Sequence, residues 1–550
     1  MPATYSQQDP SHGAMSRPLG NLEAFFKSLS EIGKPLNREH WTVHLALRLS
    51  FSPSVAADPA PYLRRAWQLL RFQHPTLGAC LREPEPGINT NRASLVVGPL
   101  DLEKWADDTF AERHDFADAD ELFSSLYSTP TATCYWLPRS SELVIRSSHW
   151  RIDGVGMVLL GNEFMTTVAK VMKAGQAMPL KQLLSREFES GPVLPPSLED
   201  LVTAQSSYEQ SDDLEEDPVL AAGADDMVGT FLRGFPSIGL PTREPPSPSI
   251  LPGSSDRAVS RLGVETTTRF LAACKEKGIK VTSAVHAAII RVTASFPQHP
   301  LAKSYAVFAA VNLRSALEAT ATPETKDIST VVGVYFSGLP ICVESVSSRS
   351  FVDIAQDLAN SYGKDVLNYW QPPASLLKNG SAAGRDGRAI GLLDLARPYV
   401  RRTTALFNAP VPEGLPPVQS PDLSSLGMIH SSIQREYGDK EDGNDANVQV
   451  ADVWLGTEML TRSVQFHVWS WEGTLRIGAC FNKSFYDKKF VEQALGMVVE
   501  DLISKDTTQR PVQRPGGIDH SRYNYPPNYL SRYCNNKFSI VHGVTCTMKM

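Results

Sequence analysis

Cysteine is scarce and scattered in this 550-residue chain, which holds seven cysteines and no Cys-x-x-Cys pair. An odd number of widely spaced cysteines fits neither a disulfide framework nor a zinc site, so we expect reduced, mostly buried thiols. The chain also lacks an uncharged apolar run of the roughly 18 residues that span a bilayer. Residues 1–20 show no basic stretch followed by an apolar one, as a secretory signal would. These absences predict a cytoplasmic protein with no membrane partner.

An excess of positive charge is absent as well. Lysine and arginine number 53 against 60 aspartate and glutamate residues, which gives a net charge of −7. Because no overall positive field exists to attract phosphate backbones, nucleic acid is not an expected partner. What the chain does contain is the 42% hydrophobic and 21% charged composition of a packed globular protein. Its length predicts two large domains or three modest ones.

Hydrophobic periodicity predicts strands and helices in both halves of the chain. Residues 41–51 alternate apolar and polar side chains, which is typical of a strand with one buried face. A short aliphatic strand at 142–147 leads through a turn into a helix at 155–173. The second half has predicted helices at 266–277, from 282 onward and at 490–502, predicted strands at 305–312 and 331–341, and a predicted hairpin of 463–471 with 474–481 around Glu472-Gly473.

Changes in composition divide the chain into five segments. We expect a disordered leader at 1–20 and a first α/β domain at 21–200. A connector follows at 201–257, where an acidic run is succeeded by a stretch rich in proline and serine. A second α/β domain occupies 258–508. The remainder, 509–550, shows no sustained period and is predicted to be an irregular tail.

The segment with the most chemical content is Ser147-Ser148-His149-Trp150-Arg151-Ile152-Asp153-Gly154, in the predicted turn between a strand and a helix. Such a turn holds a side chain rigidly at the edge of a sheet. An imidazole there, with an ordinary pKa of about 6.5, can take up and return a proton at neutral pH, so His149 is the candidate base. A hydrogen-bonded structural histidine is the alternative. Asp153 also has an alternative role, as a carboxylate that complements the dipole of the following helix.

The His-x-x-x-Asp-Gly pattern in this setting resembles the active-site motif of the coenzyme A-dependent acyltransferase superfamily. That superfamily includes chloramphenicol acetyltransferase, the plant BAHD transferases, peptide synthetase condensation domains and fungal trichothecene O-acetyltransferases. Other segments follow in a matching order: 71–77, the helix at 282–288, Val311-Asn312-Leu313-Arg314 and Gly333-Val334-Tyr335-Phe336. The likeness runs from about residue 20 to about residue 505 and is greatest to the fungal trichothecene 15-O-acetyltransferase group. The plant-type Asp-Phe-Gly-Trp-Gly motif is absent from the sequence.

The resemblance implies an α/β fold of two chloramphenicol acetyltransferase-like domains, each a mixed β-sheet flanked by helices, with the active-site tunnel between them. It implies a transferase of acyl groups other than aminoacyl groups. The acceptor would be a hydroxyl of a fungal secondary metabolite, such as a trichothecene-like terpenoid or a polyketide. Acetyl-CoA or another acyl-CoA would be a co-substrate, with no permanently bound cofactor and no metal. The alcohol and the acyl-CoA are then the expected partners of a monomer.

The same resemblance assigns roles to individual residues. His149 would remove the proton from the acceptor hydroxyl, whose oxygen attacks the thioester directly in a ternary complex. Asp153, followed by Gly154, would turn away from the substrate and pair with Arg314 across the two domains. Ser424 and Ser425 match the family's oxyanion-stabilising Ser/Thr-Asn-x-Gly segment, with a departure at its second position. The alternatives are an ordinary surface arginine and a serine-rich loop end that leads into a strand at 427–433.

Other functions stay open on the sequence alone. A condensation-like relative would take the acyl group from a carrier protein's thioester, and a non-catalytic binding relative would keep only the fold. Gly154 and Gly156 open a helix as a dinucleotide loop does, but the third glycine of that motif falls on Leu159. Ser375 and Lys378 have the Ser-x-x-Lys spacing of a β-lactamase-like nucleophile.

Three further histidines have no chemical pattern around them. His286 lies among alanines on a predicted helix and is interpreted as a packed core residue. His430 and His467 lie in predicted strands, where either side chain could line a tunnel. Nothing in their spacing selects one over the other.

Overall fold

The computed structural model describes residues 7–9, 14–84, 92–184, 192–205, 216–243, 250–320, 330–377, 389–438 and 447–504. The predicted tail at 509–550 and Lys378 of the Ser-x-x-Lys pattern lie outside these residues. Within them, strands and helices occur in both halves of the chain, as the hydrophobic periodicity predicts.

The described strands and α-helices are numbered in chain order. The strands β1 to β16 are Gln7–Asp9, Ala14–Pro18, Val43–Phe51, Ala79–Arg82, Ser94–Val97, Phe110–Glu112, Thr133–Leu137, Glu142–Ser147, Ser255–Leu262, Tyr305–Asn312, Phe336–Val343, Asp422–Met428, Glu436–Tyr437, Val448–Thr457, Gln465–Trp471 and Thr474–Asn482. The helices α1 to α16 are Asn21–Ser30, Pro53–Ala56, Ala60–Gln73, Leu102–Thr109, Ala119–Ser125, Gly154–Ala174, Leu180–Leu183, Leu198–Gln205, Pro218–Arg233, Val264–Glu276, Val281–Ser295, Arg314–Ala319, Phe351–Tyr362, Ala374–Leu377, Leu392–Asn408 and Lys488–Ile503.

The first half is built on a six-stranded sheet of order β13-β14-β3-β8-β7-β6. Leu45 and Leu47 of β3 are fully buried in the first hydrophobic core, to which helices α3 and α6 also contribute. Burying a leucine side chain stabilises a fold by about 1.5–3 kcal/mol. The opposite face of β3, predicted to be wetter, is exposed at Arg48 and Ser50 but covered at its other end. His44 is only 1% exposed there, because the Phe123 ring of helix α5 lies 4.8 Å from it.

The second half is built on a four-stranded sheet of order β12-β15-β16-β9, in which β12 runs parallel to β15. Strands β15 and β16 form the predicted hairpin. Glu472 (φ 48°) and Gly473 (φ 71°) adopt the left-handed conformation that a two-residue hairpin turn favours. Helices α11 and α16 pack against each other beside this sheet and bury the second hydrophobic core.

Two strands of the second half, β13 and β14, belong to the first sheet, so the predicted boundary of a second domain at 258–508 is wrong in part. Strand β14 pairs antiparallel with β3 of the first sheet, from Val448 opposite Phe51 to Thr457 opposite Val43. The alternation of apolar residues in β14 is compatible with a place in either sheet. Its partner strand is distant in sequence, and periodicity does not identify that strand. As a result, the second half of the chain is joined to the first by backbone hydrogen bonds as well as by side chains.

The predicted leader and connector also need correction. Residues 14–18 form a strand paired with β5, and the buried Arg17 guanidinium donates two hydrogen bonds of 2.7 Å to the Glu23 carboxylate. Inside the connector, helix α9 buries Val219 and Leu220 in a third hydrophobic core with helices α1 and α15. Composition misled the prediction at both places because a few buried residues suffice to anchor a polar segment.

Helix α6 is the one described helix that is long and apolar enough to cross a membrane, and 67% of its apolar window is buried inside the protein. It is therefore a core helix of the first half. Its first turn follows the His-x-x-x-Asp-Gly segment directly.

Candidate active site

Buried hydrogen bonds fix the turn between β8 and α6. The Ser148 hydroxyl donates to the Glu39 carboxylate at 2.9 Å. The Arg151 guanidinium donates to the backbone carbonyls of Ala79, at 2.8 Å, and Pro130, at 3.0 Å. These bonds tie the turn to neighbouring segments on two sides. These hydrogen bonds are the structural cause of the rigid placement of His149 that the sequence predicts.

Asp153 performs two structural tasks with its two carboxylate oxygens. As the N-cap residue of α6, it accepts a hydrogen bond of 2.6 Å from the Gly156 backbone amide through Oδ1. Through Oδ2 it accepts from the Tyr335 amide at 2.8 Å and from the Arg314 guanidinium at 3.0 Å. The predicted ion pair is present, and the helix-end role proposed as its alternative is present with it. Arg314 is 2% exposed, so it is not a surface arginine.

The steric requirement for glycine falls on Gly156 more than on Gly154. A Cβ atom on Gly156 would lie 3.0 Å from the Gly333 carbonyl and 3.1 Å from the Arg314 guanidinium. A Cβ atom on Gly154 would meet only the Leu426 side chain, at the ordinary distance of 3.4 Å. Gly156 therefore lets helix α6 approach Gly333 and Arg314 closely.

The His149 ring lies in an aromatic setting and is partly accessible from a cavity. It stacks on Phe26 of helix α1, with ring centroids 4.1 Å apart and planes 9° apart. Trp41 and Phe336 flank it, with ring centroids at 6.3 and 5.7 Å. Burial lowers the pKa of His149 to about 4, although its own backbone carbonyl and the Asp153 charge act in the opposite direction. At neutral pH the imidazole is therefore uncharged, the state that a general base requires.

The cavity has a volume of about 170 Å³ and is lined from both halves of the molecule. Helix α1 and the His149 turn contribute from the first half, and strands β10, β11, β12 and β15 with helix α15 contribute from the second. A cleft between the domains is thus present where the sequence resemblance implies the active-site tunnel. Clefts of this kind are common positions for ligand sites.

The two predicted oxyanion serines lie within strand β12, and the predicted strand at 427–433 is wrong. Side chains of consecutive strand residues point to opposite faces, so the two serines have different surroundings. Ser425 Oγ shares a hydrogen bond of 2.9 Å with the Thr282 hydroxyl. Ser424 is aligned with His467 of the neighbouring strand, and both residues line the cavity. Ser375 is not among the residues that line it.

Sequence reasoning missed one polar residue of the cavity and left a second one undecided. His467, which the sequence did not distinguish from His430, is 4% exposed. Its pKa is lowered to about 4 by burial and by the nearby Arg257 and His149. Asp422 lines the same cavity, and burial raises the pKa of its carboxyl to about 7. The only sequence signal for either residue was an ionisable group inside an apolar strand.

Within the described residues, no group of three or more histidine, cysteine, aspartate or glutamate side chains is arranged to hold a metal ion.

The fold is the two-domain chloramphenicol acetyltransferase-like fold, as the sequence resemblance predicts. The solved structure of TRI3 trichothecene 15-O-acetyltransferase from Fusarium sporotrichioides matches 92% of this chain and 98% of its own, with a TM-score of 0.67 at 15% identity. The first condensation domain of the calcium-dependent antibiotic synthetase matches 92% and 98%, with a TM-score of 0.55 at 13% identity. No family model matches the chain.

Curated relatives are similar over nearly the whole chain. Acetyltransferase pigO of Monascus ruber is 26% identical over 492 residues, which cover 88% of this chain and 94% of that protein. O-acetyltransferase pigM of the same fungus is 27% identical over 501 residues, which cover 90% and 85%. A protein of Epichloe uncinata named loline biosynthesis cluster 1 transcription factor lolU1 is 29% identical over 506 residues, which cover 90% and 95%. The chain is thus similar to fungal acetyltransferases and also to proteins named as regulators.

Proposed function

We propose that this protein is an O-acyltransferase that moves an acetyl group from acetyl-CoA to a hydroxyl of a fungal secondary metabolite, with His149 as the general base. One observation carries the proposal: an uncharged imidazole faces a largely apolar cavity between two domains, on a turn that the Asp153–Arg314 pair holds in place. The similarity to pigO and pigM supports the reaction class. Acetyl-CoA is a substrate in this proposal, not a resident cofactor.

The two ring nitrogens of His149 take different roles in this proposal. Nδ1 is buried without a hydrogen-bond partner of good geometry in the described structure, and it lies beside its own backbone carbonyl. That arrangement favours the tautomer with the proton on Nδ1. Nε2 then carries the lone pair and is the nitrogen open to the cavity.

The reaction needs no covalent acyl-enzyme. Nε2 takes the proton of the acceptor hydroxyl while the hydroxyl oxygen attacks the thioester carbonyl carbon. The carbon–sulfur bond then breaks, and the leaving thiolate regains the proton from the imidazolium. Acid–base catalysis of this kind is typically worth about 10²–10⁴ in rate, and positioning of the two substrates supplies much of the rest.

The lowered pKa of His149 is compatible with this role. Burial disfavours the imidazolium in the empty cavity. During attack, negative charge develops on the substrate oxygen in the same low-dielectric space, and that charge stabilises the imidazolium. The Ser424 hydroxyl, which lines the cavity, is proposed to donate a hydrogen bond to this oxyanion.

Two other functions are possible, and one experiment distinguishes them from the proposed function. The fold likeness to a condensation domain favours a donor carried on a protein-bound thioester. The name of lolU1 suggests a regulator, but the net charge of −7 does not favour a DNA-binding surface. A non-catalytic relative would keep the cavity and consume no thioester.

The test is release of thiol from acetyl-CoA by the full-length protein in the presence of a panel of terpenoid and polyketide alcohols. The matched donor is the same acetyl group on a phosphopantetheinylated carrier protein. We expect thiol release from acetyl-CoA that depends on an alcohol and yields the acetate ester. Release only from the carrier-bound donor would assign the condensation-like function, and release from neither donor would overturn the proposal.

A further inference from the structure

Four polar residues form one face of the cavity, opposite its aromatic residues. Asp422 and Ser424 alternate along β12, and Gln465 and His467 alternate along β15. The parallel register aligns Asp422 with Gln465 and Ser424 with His467, so the four side chains share one face of the sheet. All four line the cavity. We call this set the polar face.

The residues between them confirm which way the polar face points. Phe466 and Val468, on either side of His467, are each 2% exposed and belong to the second hydrophobic core, and neither lines the cavity. Leu423 also belongs to that core, although it borders the cavity as well. Polar side chains of β12 and β15 therefore turn toward the cavity because the apolar ones fill the core behind them.

The polar face holds hydrogen-bonding groups without protein partners. His467 is 4% exposed, and its Nδ1 atom has no hydrogen-bond partner among the described residues. The Asp422 carboxylate accepts a hydrogen bond of 2.7 Å from the adjacent Leu423 amide through Oδ1, and no described cationic side chain forms an ion pair with it. Gln465 differs, because its side-chain amide already donates to the Phe466 carbonyl, at 3.3 Å.

Asp422 lacks the counter-ion that several buried carboxylates of this protein have. Glu23 lies against Arg17, Asp153 against Arg314, Asp452 against Arg476 and Glu458 against Arg38. Asp422 is only partly exposed to water, and a bound cation would stabilise its ionised carboxylate there. The remainder of the cavity offers mainly apolar contacts: Leu22, Phe25, Phe26, Trp41, Phe308 and Phe336.

We propose that Asp422, with Ser424 and His467, forms a subsite for a protonated amine of the acceptor, so that the substrate class is an apolar amino alcohol. The inference rests on the proposed function, since it describes a second group of the same acceptor. The Asp422 carboxylate binds the ammonium group, and the Ser424 oxygen and the unprotonated His467 nitrogen accept its remaining hydrogen bonds. The aromatic residues opposite hold the carbon skeleton.

The subsite lies close to the candidate base. His149 and His467 line the same cavity, so the subsite and the candidate base open into one space. A cation held at Asp422 would therefore place the acceptor in the part of the cavity that His149 faces. The same cation would disfavour protonation of His467 and leave it as a hydrogen-bond acceptor.

The experiment compares two probes of nearly equal shape, trans-4-aminocyclohexanol and trans-4-methylcyclohexanol. Their binding to the full-length protein is measured by titration calorimetry without acyl-CoA, at about pH 8, where a carboxylate is ionised and an alkylamine is protonated. We expect the amine to bind roughly tenfold tighter or more, as a charge-assisted hydrogen bond does. Asp422→Asn is expected to abolish the difference, whereas Asp108→Asn, an exposed acid outside the cavity, is expected to keep it.

Equal binding of the two probes to the unaltered protein overturns the inference without any variant. A preference for the amine that survives Asp422→Asn overturns it as well. Because the titration contains no thioester, failure of acetyl transfer would remove the proposed function while amine binding that depends on Asp422 would still support the subsite.

Discussion

Asp153 and Arg314 meet at 3.0 Å across 161 positions of sequence, with side chains that are 4% and 2% exposed. The carboxylate also caps helix α6 and accepts the Tyr335 amide, and the guanidinium donates to the Gly333 carbonyl at 3.2 Å. One buried pair therefore fixes the His149 turn to a segment of the second half. Removal of the pair is expected to affect folding stability more than the chemical step.

Asp153→Asn should destabilise the protein strongly, because it leaves the Arg314 charge buried without its counter-ion. Breaking a buried pair in this way costs about 3–5 kcal/mol. Denaturant unfolding of the variant, beside Asp115→Asn in an exposed pair with Arg113, measures the difference. An unfolding midpoint equal to that of the unaltered protein would contradict the structural role of the pair.

Substitution of the two neighbouring glycines should have unequal effects. Gly156→Ala forces a methyl group toward the Gly333 carbonyl and the Arg314 guanidinium, at 3.0 and 3.1 Å, so we expect a lower melting temperature. Gly154→Ala meets only Leu426, at 3.4 Å, and should be tolerated. Thermal unfolding of the two variants side by side checks which melting temperature is lower. A larger decrease for Gly154→Ala would contradict the close approach of Gly156 to Gly333 and Arg314.

The pH dependence of the reaction should reflect the lowered pKa of His149. A base must be unprotonated, and the pKa of this imidazole is about 4. With an acceptor that carries no amine, and therefore does not need an ionised Asp422, activity is expected to stay level as pH falls from neutrality through the ordinary histidine pKa of about 6.5, and to decline only as pH approaches 4. Initial rates of kcat/KM across this range report the free protein. An acidic limb centred at the ordinary histidine pKa would contradict the buried setting of the ring.

The two serines of β12 should differ in their effect on turnover. With an acceptor that carries no amine, Ser424→Ala is expected to lower kcat by roughly 10²–10³, the cost of removing one oxyanion donor, with a smaller change in KM. Ser425→Ala removes the partner of the Thr282 hydroxyl and should cost much less. Equal losses in kcat from the two substitutions would remove Ser424 from the oxyanion role.

The site residues that belong to a local motif could be predicted from the sequence, whereas those that depend on strand pairing could not. His149, Asp153 and Arg314 could be predicted because a strand, a short turn and a helix leave a recognisable pattern in the sequence. The pairing of β14 with β3 of the first sheet could not be predicted, since an alternating pattern does not specify which strand is the partner. Asp422 and His467 were missed for the same reason: their common face depends on the parallel pairing of β12 with β15, across a separation of more than forty residues.

The most direct measurement of the central claim is kcat for thiol release from acetyl-CoA in His149→Ala, with His467→Ala as the matched variant in the same cavity. The account predicts that His149→Ala loses roughly 10²-fold or more in kcat while it binds acetyl-CoA normally by calorimetry. His467→Ala is predicted to act mainly on the acceptor's KM. If His149→Ala kept its kcat, or if the loss fell on His467→Ala instead, His149 would not be the base.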